Sequence, residues 1–186
     1  MALALALSVG LAGCGGGRYP LVSAAEANND LGEGYHLGPG DKLRINVFDE
    51  PTLTGEYQVA VDGTVSLPLI EALPAAGMSP DQLARSIETK LAAGGYVLSP
   101  KVAAEVLDYR PFYILGEVNK PGEYAYTGQI SLLQAIAKAG GFTPRANKGK
   151  VVIRRKDWPT ARTARVGDGA TLIGPGDTIL VREALF

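Results

Sequence analysis

Two short stretches do most to limit the fold. Ser79-Pro80-Asp81-Gln82 and Ser131-Leu132-Leu133-Gln134 each place a serine three residues before a glutamine, the pattern of a helix capping box. The serine hydroxyl accepts a backbone N–H that the helix itself leaves without a partner, and Pro80 has the fixed φ that suits a first helical turn. Leu83, Ile87 and Leu91 then recur at helical spacing until Gly94-Gly95, and Leu132, Leu133, Ile136 and Ala139 do so until Gly140-Gly141. Glycines stop helices because they accept the left-handed conformation at the C-terminal end. Two helices are therefore predicted, each with its start and stop written locally.

Short strands surround both. Leu43, Ile45 and Val47 alternate with Arg44, Asn46 and Phe48, the period of a half-buried strand. Tyr57, Val59 and Val61 alternate too, and Asp62-Gly63 predicts a hairpin turn with Val65 and Leu67 on its far side. Val102, Ala104 and Val106 follow the first helix as a return strand, closing a β-β-β-α-β unit near Asp108. A second unit has a strand over 112–118, a turn at Asn119-Lys120-Pro121-Gly122, a return over 123–126, the second helix, and strands over 151–153 and 178–181. A short sheet wrapped around one helix is a β-grasp-like plan, and the fold class is α+β in both units. The two units share one phrase. Leu37-Gly38-Pro39-Gly40-Asp41 and Ile173-Gly174-Pro175-Gly176-Asp177 each launch a strand, and both read as the same tight turn used twice.

A hydrophobic fraction of 46% with 20% charged residues describes a globular chain, and 24 Gly with 12 Pro suit many turns. One cysteine excludes a disulfide framework. Charge is uneven: residues 19–143 hold 8 basic and 15 acidic residues, while 145–165 hold 8 basic residues against Asp157 alone. Such asymmetry fits an anionic partner, head-to-tail contact between copies, or simply a solvated basic strand and loop.

The single cysteine, Cys14, ends Leu11-Ala12-Gly13-Cys14 behind an apolar run too short for a ~20-residue membrane span. The pattern resembles the lipobox of bacterial lipoproteins, in which the leader is removed and the cysteine acylated. No Lys or Arg precedes Cys14, a departure from the usual basic leader. The resemblance implies a signal peptide over 1–13 and a palmitate-type anchor on Cys14. Gly15 is not the aspartate that resembles an inner-membrane retention signal, so the expected location is the outer membrane, facing the periplasm. Residues 14–32, with their Gly triplet and polar Ala/Asn-rich continuation, read as a lipidated linker.

The segments at 37–41 and 62–70 and Ser99-Pro100-Lys101-Val102 resemble the polysaccharide biosynthesis/export domain, assigned here to 33–108. Gly116-Glu117-Val118-Asn119-Lys120-Pro121-Gly122-Glu123-Tyr124, then 132–141, resemble the SLBB (soluble ligand-binding β-grasp) domain, assigned to 109–186. Order and spacing are similar to those of Wza-type outer-membrane polysaccharide export proteins. The resemblance implies a homo-oligomeric periplasmic ring that passes exopolysaccharide or capsule from an inner-membrane copolymerase to the exterior. The chain carries one SLBB-like unit and ends on a strand without an amphipathic helix. It therefore looks like the short class, which is expected either to need a separate outer-membrane barrel or to act as a periplasmic collar, and to form no conducting pore alone. The alternative is a monomeric periplasmic glycan-binding or adaptor lipoprotein.

Enzyme chemistry finds no foothold in the sequence. His36 has no cysteine to pair with, no Cys/His cluster has metal-ligand spacing, and no nucleophile elbow or Walker loop occurs. Asp41 and Asp49 are a conceivable carboxylate pair, but the turn and a strand exit explain them better. No catalytic residue, cofactor, metal or nucleic-acid partner is expected. For glycan contact the candidates are Arg154, Arg155 and Lys156 as cations and Tyr124 and Trp158 as stacking rings. Tyr109, Phe112, Tyr113 and Tyr126 are further aromatics of the same kind, and for each of these rings strand packing is the alternative role.

Overall fold

The computed structural model describes residues 19–29, 31 and 34–184, so Cys14 and the leader before it lie outside the described residues. In chain order the elements are β1 (Leu21–Val22), α1 (Ala24–Asn29), β2 (Lys42–Val47), β3 (Gly55–Gln58), β4 (Thr64–Val65), β5 (Leu73–Pro74), α2 (Pro80–Ala93), β6 (Val102–Asp108), β7 (Phe112–Gly116), β8 (Gly122–Tyr124), β9 (Ile130–Ser131), α3 (Leu132–Lys138), β10 (Lys150–Arg154), β11 (Arg162–Arg165), β12 (Leu172–Ile173) and β13 (Thr178–Val181). The α+β class holds in both units.

In the first unit β2 is the central strand of an antiparallel β3-β2-β6 sheet. Its inward residues Leu43, Ile45 and Val47 are buried, as period-2 alternation requires. The α2 helix lies against β6. Ser79 and Gln82 form the reciprocal capping box, and Leu83, Ile87 and Leu91 have no solvent exposure. The predicted hairpin differs in its partner. Asp62 does make the turn, with Oδ1 accepting from the Thr64 N–H at 3.0 Å and the Thr64 hydroxyl at 2.8 Å. These bonds hold the Asp62 carboxyl below the ordinary aspartate range. But β4 pairs with β5 rather than β3, and Val61 is fully exposed.

The second unit has a six-stranded sheet in the order β1-β11-β10-β13-β7-β8, with β10 and β13 antiparallel at its centre and β7 parallel to β13. A separate β12-β9 pair leads into α3, which again begins in a complete capping box, Ser131 with Gln134. On α3 the buried face is Leu132, Ala135, Ile136 and Ala139; Leu133, predicted to face inward, is half exposed, because the helix is only two turns long and Ala135 takes the inward position. Gly116 ends β7 at φ +87°, where a Cβ would meet the Val181 carbonyl oxygen at 2.0 Å, so only glycine allows the β7–β13 approach.

The stretch expected to be a linker is the largest departure. Residues 19–29 form β1 and α1 and belong to the second unit, although they precede the first in sequence. Strand β1 adds to the sheet edge by parallel pairing with β11, and Val22 and Ala27 enter the core that holds Phe112, Ile153 and Ile179. Asn28 clasps the backbone before β12 with both ends of its amide: Nδ2 donates to the Ala170 carbonyl at 2.7 Å, and Oδ1 accepts from the Leu172 N–H at 2.8 Å. The two buried clusters are distinct, one around α2 and one around α3.

Candidate functional site

The repeated Gly-Pro-Gly-Asp turns lie near where the units meet. In the first, Asp41 is fully buried, and its Oδ2 accepts from the Gly38 N–H at 2.7 Å. In the second, the Asp177 Oδ2 accepts from the Gly174 N–H at the same distance. Each aspartate is fixed by its own turn and faces an arginine from elsewhere. The Arg110 Nε lies 3.2 Å from Asp41 Oδ1, and Arg155 grips Asp177 through Nε at 3.0 Å and Nη2 at 2.8 Å. The Arg155 guanidinium also donates to the carbonyls of Ala27 and Leu172, tying α1 to β12. Burial pushes the Asp177 carboxyl up, while the Arg155 guanidinium and the Gly174 N–H pull against that rise.

Between the units three tyrosines form a ladder. Tyr35 and Tyr109 meet edge to face at 4.7 Å, and Tyr109 and Tyr126 at 5.9 Å. The three come from the entry to the first unit, the junction after β6, and the loop after β8. Edge-to-face packing lets the positive rim of one ring meet the negative face of the next. Arg110 joins the ladder to the turn: its guanidinium carbon is 5.8 Å from the Tyr35 centroid, and its Nη2 donates to the His36 carbonyl at 3.0 Å. The Tyr35 hydroxyl, Asp41 Oδ1 and Arg110 Nε are buried with no well-aligned hydrogen bond. Burial is the main cause of the raised Tyr35 pKa, with the nearby Asp41 carboxylate adding to it.

These groups border a cleft of about 370 Å³. Tyr35 and His36 line it from the first unit, Tyr109 and Arg110 from the junction, and Tyr126, Gln129, Lys156 and Asp157 from the second. Its walls combine three tyrosine rings with a larger set of polar and charged groups, at a domain boundary where small-ligand sites commonly form. Among the described residues no group of His, Cys, Asp and Glu is placed to hold a metal ion, and no helix is long and apolar enough to cross a membrane.

The residues predicted to touch glycan do not form one surface. Lys156 lies on the cleft. Arg154 is exposed near the end of β10, with its Cα paired to Thr178 of β13. Arg155 is 6% exposed and committed to Asp177, which corrects the expectation that it presents a free cation. Trp158 is buried with the Arg155 and Arg162 guanidiniums over its ring, each 4.8 Å from the centroid, so its role as an open stacking platform is likewise corrected. Tyr124 stacks on Phe112 at 5.7 Å, and its hydroxyl donates to the Lys120 carbonyl, which makes it part of the sheet packing. Tyr109 and Tyr126, named among the further aromatics, do reach the cleft; Tyr35 and His36 were not named as binding residues.

Comparison with known proteins fits this two-part layout. Residues 29–107 match the family model of the polysaccharide biosynthesis/export protein, and residues 111–164 match the SLBB domain. The chain is 32% identical over 174 residues to the exopolysaccharide production protein ExoF of Rhizobium meliloti, an alignment covering 88% of this chain and 40% of that protein. It is 32% identical over 156 residues to the polysialic acid transport protein KpsD of Escherichia coli, covering 79% of this chain and 28% of the other. It is 25% identical over 201 aligned positions to the EPS I polysaccharide export outer membrane protein EpsA of Ralstonia nicotianae, covering 87% and 52%. The chain thus spans about half the length of these relatives or less. With an export domain built on α2 followed by an SLBB domain built on α3, the chain belongs to the polysaccharide biosynthesis/export family.

Proposed function

We propose that this protein is a subunit of an envelope complex that exports exopolysaccharide or capsule. In this reading Cys14 carries the acyl anchor, the folded part faces the periplasm from the outer membrane, and copies assemble into a ring. The ring receives polymer from an inner-membrane copolymerase and delivers it outward, with a separate barrel completing the route. The observation that carries the reading is the ordered pair of domains, export then SLBB, matched along most of the chain. The relatives' names, which speak of exopolysaccharide production, polysialic acid transport and outer-membrane export, agree with it. The charge split supports contact between copies, since an acidic first unit and a basic second unit attract head to tail. Transport of this kind needs no reacting group, only a hydrated path whose walls hold sugar weakly. Arg154, exposed at the end of β10, is the cation assigned to acidic polymer along it.

The test is deletion of the gene in its host. Surface polysaccharide should fall to background and return with the intact gene, but not with Cys14→Ser. Purified from membranes in mild detergent, the protein should run as a large oligomer with acyl chains on Cys14 by mass spectrometry. Undiminished surface polysaccharide after deletion would overturn the export role, and a monomer that binds soluble sugar would favour an adaptor.

A further inference from the structure

We infer that the cleft between the two domains is a binding site for an uncharged pyranose ring of the exported polymer; this rests on the export reading. Four observations converge on that class of ligand. The cleft is at the small end of the ~300–1,000 Å³ typical of ligand sites, room for a sugar ring or two but not for a length of chain in cross-section. Its aromatic wall is Tyr109 and Tyr126. The flat C–H face of a pyranose covers such rings while its hydroxyls point outward along the edge, so one ligand satisfies both an apolar wall and polar neighbours. Those neighbours are planar and bidentate: the exposed Gln129 amide offers two donors and an acceptor, and the Asp157 carboxylate accepts from paired hydroxyls. Finally, the charges are balanced. Arg110 answers Asp41, Arg155 answers Asp177, and Lys156 stands beside Asp157. A phosphate or nucleotide would call for surplus cations, and an acyl chain would leave the amide and carboxylate without partners.

The site also has a consequence for the pair of domains. Its walls come from both, and the tyrosines of the ladder that joins them are part of those walls. A ring seated there contacts export domain, junction and SLBB domain together, so an occupied cleft holds the two domains in one relative arrangement.

The chain contains a single histidine, His36, and it lines the cleft, so its ring-proton NMR signals report on this place alone. The probe is a set of oligosaccharides of two to six sugars released by partial acid hydrolysis of the polysaccharide the native host secretes. Titrated into the intact protein, they should shift the His36 signals saturably. Tyr126→Ala should weaken the binding by up to about tenfold, the loss of one good stacking contact. Because Tyr126 also packs on the core, Gln129→Ala and Lys156→Gln, both exposed at the rim, supply variants that keep the fold. Gln129→Ala should weaken binding severalfold. Leu98→Ser, fully exposed and outside the cleft, should change nothing. Inorganic phosphate should leave the signals in place. His36 signals that stay fixed at millimolar oligosaccharide, binding indifferent to all three cleft variants, or a saturable response to phosphate would each overturn the inference. If deletion abolishes surface polysaccharide while His36 stays silent, the cleft proposal fails and the export role stands. If deletion has no effect yet His36 titrates, the reverse holds.

Discussion

Asp41 and Asp177 do the same work in two domains. Each closes a Gly-Pro-Gly-Asp turn through the N–H three residues earlier, and each draws an arginine into the junction region. The Arg155–Asp177 pair is the more demanding of the two, at 6% and 1% side-chain exposure. Removing one partner of a buried pair leaves a charge with neither water nor a counter-ion. Arg155→Met should therefore cost about 3–5 kcal/mol of stability. Arg44, paired with Glu56 in the open at 56% and 65% exposure, gives the contrast: Arg44→Met should change stability by about 1 kcal/mol or less. Urea denaturation of the two variants beside the parent checks both, and equal midpoint shifts would contradict the assignment.

At the scale of elements, the N-terminal pair β1 and α1 is held by few but well-placed bonds. Asn28 makes two of them, and its replacement by alanine strips the Leu172 N–H and the Ala170 carbonyl of their partners. Such a change should cost about 1–2 kcal/mol locally. Amide exchange at Leu172 and at Thr163, whose N–H bonds to the Pro20 carbonyl, should speed up, while exchange in β2 and α2 stays as it was. The same elements show what a sequence discloses. Helices α2 and α3 were legible to the cap, because a capping box and a Gly-Gly stop are satisfied within a few residues of themselves. The Asp62 turn was legible for the same reason. Its strand pairing was not: the Thr64 carbonyl accepts from Ala60 across the turn, but the ladder partner of β4 is β5, and nothing near Thr64 encodes Leu73. Nor could the polar run at 19–29 be seen as structure: two inward residues, Val22 and Ala27, carry its docking, and their partners are about 140 positions away. The cleft was half visible. Tyr109, Tyr126 and Lys156 advertised themselves by type, whereas Tyr35 and His36 acquire meaning only once residues 34–36 and 126–177 are folded side by side.

At the scale of the molecule, the described residues form two cores joined by a ladder of rings, with no sheet shared between them. Such domains need not melt together. The only tryptophan, Trp158, sits in the SLBB core, so its fluorescence follows that domain alone, while far-ultraviolet circular dichroism follows both. The two probes should give different transition midpoints. Deleting 19–29 should move the fluorescence transition down by about 2–3 kcal/mol, from the lost burial of Val22 and Ala27, and leave the other transition in place. Coincident, equally shifted transitions would show a single cooperative unit instead.

The route of the backbone has a mechanical meaning. Because β1 zips onto β11 before the export domain begins and β7 resumes the same sheet after it ends, the export domain is a loop inserted into the SLBB domain. A pull applied ahead of Tyr19 is resisted by the SLBB sheet edge and goes no further. The export domain sits beside the line of tension, held at the junction by the tyrosine ladder and by Arg110.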